Sequence, residues 1–111
     1  MGRLRLRSRQ WIVDEDDHII MGDGRREILE HIEQTGSINQ AAKRMRMSYK
    51  GVWAKIKATE KYLEKRIVDT DKRTGTRLTD EGRALLRKYR EFKAVCVREE
   101  EKAFRRIFEG Q

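Results

Sequence analysis

The sequence predicts a mainly α-helical chain with small β-hairpins, and three observations carry that prediction. Proline is absent and glycine fills only 8 of 111 positions, which suits long helices joined by few loops. Apolar residues recur at helical spacing in three stretches between residues 25 and 63, and again from residue 80 onwards. Period-two alternation is confined to two short regions, one at the N-terminus and one around residues 67–78.

Leu4, Leu6, Trp11 and Val13 alternate with arginines and are expected to form a strand. Asp14-Glu15-Asp16-Asp17 follows as a turn, and His18-Ile19-Ile20-Met21 as the returning strand. Four acids together raise the idea of a cation site. The spacing is not the Asp-x-Asp-x-Asp-Gly pattern with a distant Glu that a calcium loop requires, so a turn without a metal is expected. Gly22-Asp23-Gly24 then breaks the strand.

From Arg25 to Thr35, Ile28, Leu29 and Ile32 share one helical face, and Gly36 stops the helix. Ser37 caps a short second helix with Ile38, Ala41, Ala42 and Met45 inside. Ser48 caps a longer third helix, whose inner side is Val52, Ile56, Thr59 and Leu63 and whose outer side is Tyr49, Lys50, Ala54 and Lys57. Ile67–Thr70 and Thr76–Leu78 are read as a hairpin around the loop Asp71–Gly75. Thr79 caps a last helix expected from about Asp80 to Phe108, roughly 40 Å long. This order is the plan of a winged helix-turn-helix with an N-terminal β-hairpin and a long C-terminal dimerisation helix. A single domain over 1–111 is expected: hairpin 1–22, helix-turn-helix and wing 23–78, long helix 79–111.

Charge narrows the function. The chain carries a net +8, unevenly spread. Residues 13–34 hold eight acids and two bases, whereas residues 35–62 hold seven bases and Glu60 alone. A basic segment inside a pair of helices is the footprint of a phosphate-binding surface. The start of a protruding helix meets base edges in the major groove, and capped helix N-termini face backbone phosphates. The DNA-binding residues expected are therefore Ser37, Gln40 and Lys43 on the second helix, Ser48, Tyr49, Lys50 and Lys57 on the third, and Lys72, Arg73 and Arg77 on the wing. Double-stranded DNA is the expected partner. A protein-interaction module without specific DNA binding is the alternative, but it has no need of lysines at 50, 55, 57 and 61.

Other classes find no support. No Gly-rich phosphate loop, nucleophile–histidine arrangement or metal set is present, so no enzyme and no cofactor is expected. Cys96 is the single cysteine, and no apolar run approaches the ~20 residues of a membrane span. A cytoplasmic location without membrane association is expected. Trp53 and Trp11 are expected in packing roles, and His18 and His31 carry no assignment.

Gly36-Ser37-Ile38-Asn39-Gln40-Ala41-Ala42 with Met47-Ser48-Tyr49-Lys50-Gly51-Val52-Trp53 resembles the N-terminal domain of the molybdate-responsive ModE family. Leu78-Thr79-Asp80-Glu81-Gly82, then Leu85-Leu86, resembles the wing-to-helix junction of that family and of the broader LysR-type domains. The resemblance runs from about Arg5 to Phe92. It implies a winged helix-turn-helix, DNA binding as a dimer and transcriptional regulation, with Ser48, Tyr49 and Lys50 at the DNA-facing start of the recognition helix. The wing departs from the glycine-rich form usual in that family. Full-length members add C-terminal molybdate-binding domains; with none in this chain, no small-molecule ligand domain and no molybdate sensing are expected here.

Along the last helix Leu85, Tyr89, Phe92, Cys96 and Ala103 recur at about seven-residue spacing, and Val95, Phe104, Ile107 and Phe108 widen the stripe. Past Tyr89 the domain has little left with which to cover it, so these residues are expected at a homodimer interface, with Glu99 helping to set register. A two-fold dimer implies a palindromic operator.

Overall fold

The computed structural model describes residues 3–109. Its elements run β1 (Ile12–Val13), β2 (Ile19–Met21), α1 (Asp23–Thr35), α2 (Ile38–Met45), α3 (Tyr49–Leu63), β3 (Val68–Asp71), β4 (Gly75–Leu78) and α4 (Asp80–Phe108). Two separate antiparallel hairpins, β1–β2 and β3–β4, flank the helices.

The helical spacing read from the sequence becomes the core. Ile28, Leu29 and Ile32 from α1 meet Ile38, Ala41 and Ala42 from α2 and Val52 and Ile56 from α3. Ile20 and Met21 close one end, while Ile67, Val68 and Leu78 bring in the second hairpin. The last three helices begin on a side-chain cap, and the first three end on a left-handed residue. Ser37, Ser48 and Thr79 each accept a first-turn amide, from Gln40, Gly51 and Gly82 respectively. Gly36, left-handed at φ 69°, ends α1.

Two glycines permit close backbone approaches that fix the wing. Gly75 sits at φ 87°, and a Cβ there would lie 2.5 Å from the Gly36 carbonyl oxygen, which accepts the Thr76 amide at 2.9 Å. A Cβ on Gly82 would lie 2.2 Å from the Ile67 carbonyl oxygen. The first turn of α4 therefore presses directly on Ile67, the residue before β3.

The N-terminal segment departs from expectation. The strand expected over Leu4–Val13 contracts to Ile12–Val13, paired with β2 with an irregular register, and the hairpin occupies only residues 12–21 of the range 1–22. Residues 3–11 form no strand because no neighbouring strand offers them a ladder. Side chains hold them to α4 instead. Gln10 is buried; its carbonyl accepts the Tyr89 hydroxyl at 2.8 Å, and its side chain meets Lys93 and Glu100. Trp11, expected to pack, is 57% exposed: β1 is too short to bring it under a second layer, and only its edge lies against Gly22. Trp53 does pack against the core, with Lys57 Nζ 4.4 Å from its ring centre.

Tyr89 requires the second correction. It was expected at a dimer interface, but it is 2% exposed and belongs to its own core, where Asp23 also accepts from its hydroxyl at 3.2 Å. The extended N-terminal segment supplies the cover that the sequence pattern did not reveal. Burial and the Asp23 carboxylate push its phenol up to about 12.

Candidate nucleic-acid interface

The short α2 and the longer α3 are joined by a tight turn. Arg46 adopts a left-handed conformation (φ 55°, ψ 42°) at the end of α2, and the Met47 amide donates to Ala42 O at 2.9 Å. Ala41 and Ala42 are buried and carry little bulk, so α2 lies close on its neighbours. The inner face of α3 is fixed by Val52, Ile56 and Thr59. Thr59 donates to Ile20 O at 2.9 Å and accepts from Arg25 Nε at 3.0 Å, tying the C-terminal half of α3 to β2 and to the start of α1.

With that face buried, the opposite one is exposed. Tyr49 (47% exposed), Lys50, Ala54, Lys55 and Lys57 are exposed on α3. On α2, Asn39, Gln40 and Lys43 are exposed, and Ser37 is half-buried at its cap. The first turn of a helix leaves amides without helical acceptors, and Ser37 and Ser48 each satisfy one. No acidic residue occurs between Gly36 and Thr59, so nothing within this stretch neutralises its cations.

Lys57 differs from the other expected contacts. Its ammonium bonds Glu60 at 2.9 Å and lies over Trp53. Glu60 is itself engaged, accepting the amides of Ile67 at 2.8 Å and Val68 at 3.3 Å. Burial raises this carboxyl, but those amides and Lys57 together hold it below its ordinary value. The charge at Lys57 is therefore spent partly inside the protein, where it braces the path from α3 into the wing.

The wing tip is ordered by Asp71, whose carboxylate accepts the amides of Arg73 at 2.7 Å and Thr74 at 3.2 Å. Lys72 and Arg73 stand exposed there. Arg77 is exposed on β4 because its neighbours Thr76 and Leu78 turn inward. The expected surface thus consists of outward side chains on α2, the first turns of α3 and the wing. The sequence reading passed over Asn39 and Arg46. Their signal was position alone, one in the first turn of α2 and one in the α2–α3 turn.

The hairpin acids behave as a turn. Asp14 accepts the amides of Asp16 and His18, each at 2.9 Å, and its other oxygen lies 3.0 Å from His18 Nδ1. The His18 ring stacks on Tyr62 at 3.7 Å.

Comparisons with known proteins agree with this architecture. Residues 25–83 match the family described as bacterial regulatory helix-turn-helix protein, lysR family. The chain is 38% identical over 82 residues to the molybdenum transport protein ModE of Azotobacter vinelandii, an alignment covering 70% of this chain and 30% of that protein. The chain thus spans about three tenths of the length of this relative. The CbnR DNA-binding domain, solved in complex with DNA, superposes with a TM-score of 0.60 at 22% identity, covering 71% of this chain and 90% of that one. Full-length LysG from Corynebacterium glutamicum gives 0.59 at 20% identity, covering 78% and 28% respectively.

Proposed function

The chain belongs to the lysR family of bacterial regulatory helix-turn-helix proteins, and on that premise we propose that it is a sequence-specific, double-stranded-DNA-binding transcriptional regulator. The carrying observation is the outer face of α2 and α3: exposed, capped by serines and free of acids from Gly36 to Thr59. Lys50 and Tyr49, in the first turn of α3, read base edges in the major groove. Ser37, Gln40 and Ser48 engage phosphates at helix starts, and Lys43 does so from the last turn of α2. Lys72, Arg73 and Arg77 on the wing grip the flanking backbone, and Lys57 contributes less because Glu60 shares its charge.

The protein acts as a homodimer in the cytoplasm. No helix among the described residues is long and apolar enough to cross a membrane. Beyond Tyr89, α4 leaves Phe92, Val95, Val97, Ile107 and Phe108 each more than 40% exposed. Pairing of two such helices covers Phe92, Cys96 and Ala103, with Leu85, half-buried on its own core, at the edge of the seam. Two-fold symmetry then presents two recognition helices to a palindromic operator with half-sites about 34 Å apart.

Paired substitutions test the assignment on duplexes selected from a random pool by the protein itself. Lys50→Ala should flatten the preference for selected over random duplex. Arg73→Ala should weaken both about equally, as a phosphate contact does. The reverse pattern refutes the placement of these two residues.

A further inference from the structure

Arg46 stands where the backbone does not favour an arginine, although a cation suits the negative C-terminal end of α2. Its φ of 55° puts it in the left-handed region, which is costly for a residue with a Cβ and where glycine or asparagine is the usual occupant. Two other non-glycine residues share that conformation, Asp17 and Glu64, and both have a local reason. Asp is among the types that tolerate it, and Asp17 closes a turn on Asp14 O at 3.1 Å. Glu64 caps α3 through its amide to Glu60 O and borders a hollow with Lys57, Glu60, Lys61, Lys65 and Arg66. Arg46 caps α2 in the same way. Its amide bonds the carbonyls of Ala42 and Lys43, so its backbone sits on the last turn of α2 beside Lys43 and Arg44.

Nothing among the described residues receives its charge. Arg46 is exposed, and among the described residues its guanidinium takes no ion pair or side-chain hydrogen bond. Arg44, two positions away, donates to Gln34 at 3.0 Å. The left-handed backbone of Arg46 caps α2, but its side chain has no partner among the described residues, and such a position is a candidate for function. The turn that holds it lies between Lys43 and Ser48, inside the acid-free stretch.

We propose that Arg46 is a DNA-contacting residue: an exposed guanidinium fixed on the α2–α3 turn that binds a phosphodiester of the duplex without reading sequence. This inference rests on the DNA-binding reading above and adds to it a residue outside the surface first expected. Its signature is a conflict of signs. Arg46→Gly removes the backbone cost and the cation together, so folding and binding should move in opposite directions.

The test uses the full chain and a labelled random duplex, with thermal unfolding measured in parallel. Arg46→Gly should keep or raise the melting midpoint, by up to a few degrees. It should weaken DNA binding several-fold at about 0.1 M salt and reduce the log–log salt slope by about 1 per protomer. Arg46→Lys should retain the slope. Unchanged affinity and slope in Arg46→Gly overturn the proposal. So does a lower melting midpoint in that variant, which would make the arginine a structural residue. Failure of the unsubstituted protein to bind duplex DNA overturns the DNA-binding reading itself, an outcome distinct from either.

Discussion

The two halves of α4 have the same amphipathic pattern and opposite fates. From Asp80 to Tyr89 the apolar side is inside: Gly82, Leu86 and Tyr89 are buried, and Leu85 packs on the core. From Phe92 to Phe108 the apolar residues are half-buried or exposed, with Ile107 and Phe108 above 60%. The domain runs out of partners near Tyr89. The N-terminal segment covers one flank of the distal half through Ser8, Gln10 and Glu100, and the remaining flank is open. One continuous stripe thus serves first as a protomer's own core and then, in the proposed dimer, as a surface for a second copy.

The largest effect that separates the halves is expected from Leu86→Ala. Leu86 is 1% exposed, and truncating such a residue costs about 2–5 kcal/mol of folding stability. Urea unfolding at fixed protein concentration reads that loss. Phe92→Asp should do the reverse, leaving a folded protomer while shifting sedimentation equilibrium at micromolar concentration to the monomer mass. A dimer that survives Phe92→Asp, or a protomer that unfolds with it, erases the boundary drawn at Tyr89.

Acid and alkali probe the protomer's own core side of that boundary, on α3 and α4, in smaller steps. Glu60, whose folded pKa lies below its ordinary 4.5, stabilises the fold while ionised. That contribution is complete above about pH 4.5 and disappears as pH falls through the folded value. Glu60→Gln should therefore be less stable at neutral pH and lose less on acidification. Tyr89 has the opposite sign: its folded pKa of about 12 exceeds the ordinary 10, so its contribution is complete below pH 10 and lost between 10 and 12. Tyr89→Phe should flatten that alkaline limb in unfolding followed by circular dichroism.

Most of the helical framework was legible in the sequence because the signals were local. Ser37, Ser48 and Thr79 are caps, Gly36 is a stop, and Ile28, Leu29 and Ile32 fall on one face whatever they touch. The N-terminal segment was misread because alternation of Leu4 and Leu6 with arginines specifies a strand only when another strand is in reach. Tyr89 was misread for the related reason that a heptad pattern does not say whose surface covers it. The candidate interface was legible as charge, since an acid-free stretch needs no coordinates. The engagement of Lys57 by Glu60 and the left-handed Arg46 were not, because both depend on the turns out of α3 and α2.

The central claim is that the face built by α2, α3 and the wing binds duplex DNA through its phosphates. Fluorescence anisotropy of a labelled random duplex, titrated with the protein across a series of salt concentrations, tests it most directly. With about four to eight phosphates neutralised per dimer, log affinity should fall linearly with log salt at a slope of about −4 to −7. A flat response, or no binding at low salt, contradicts it.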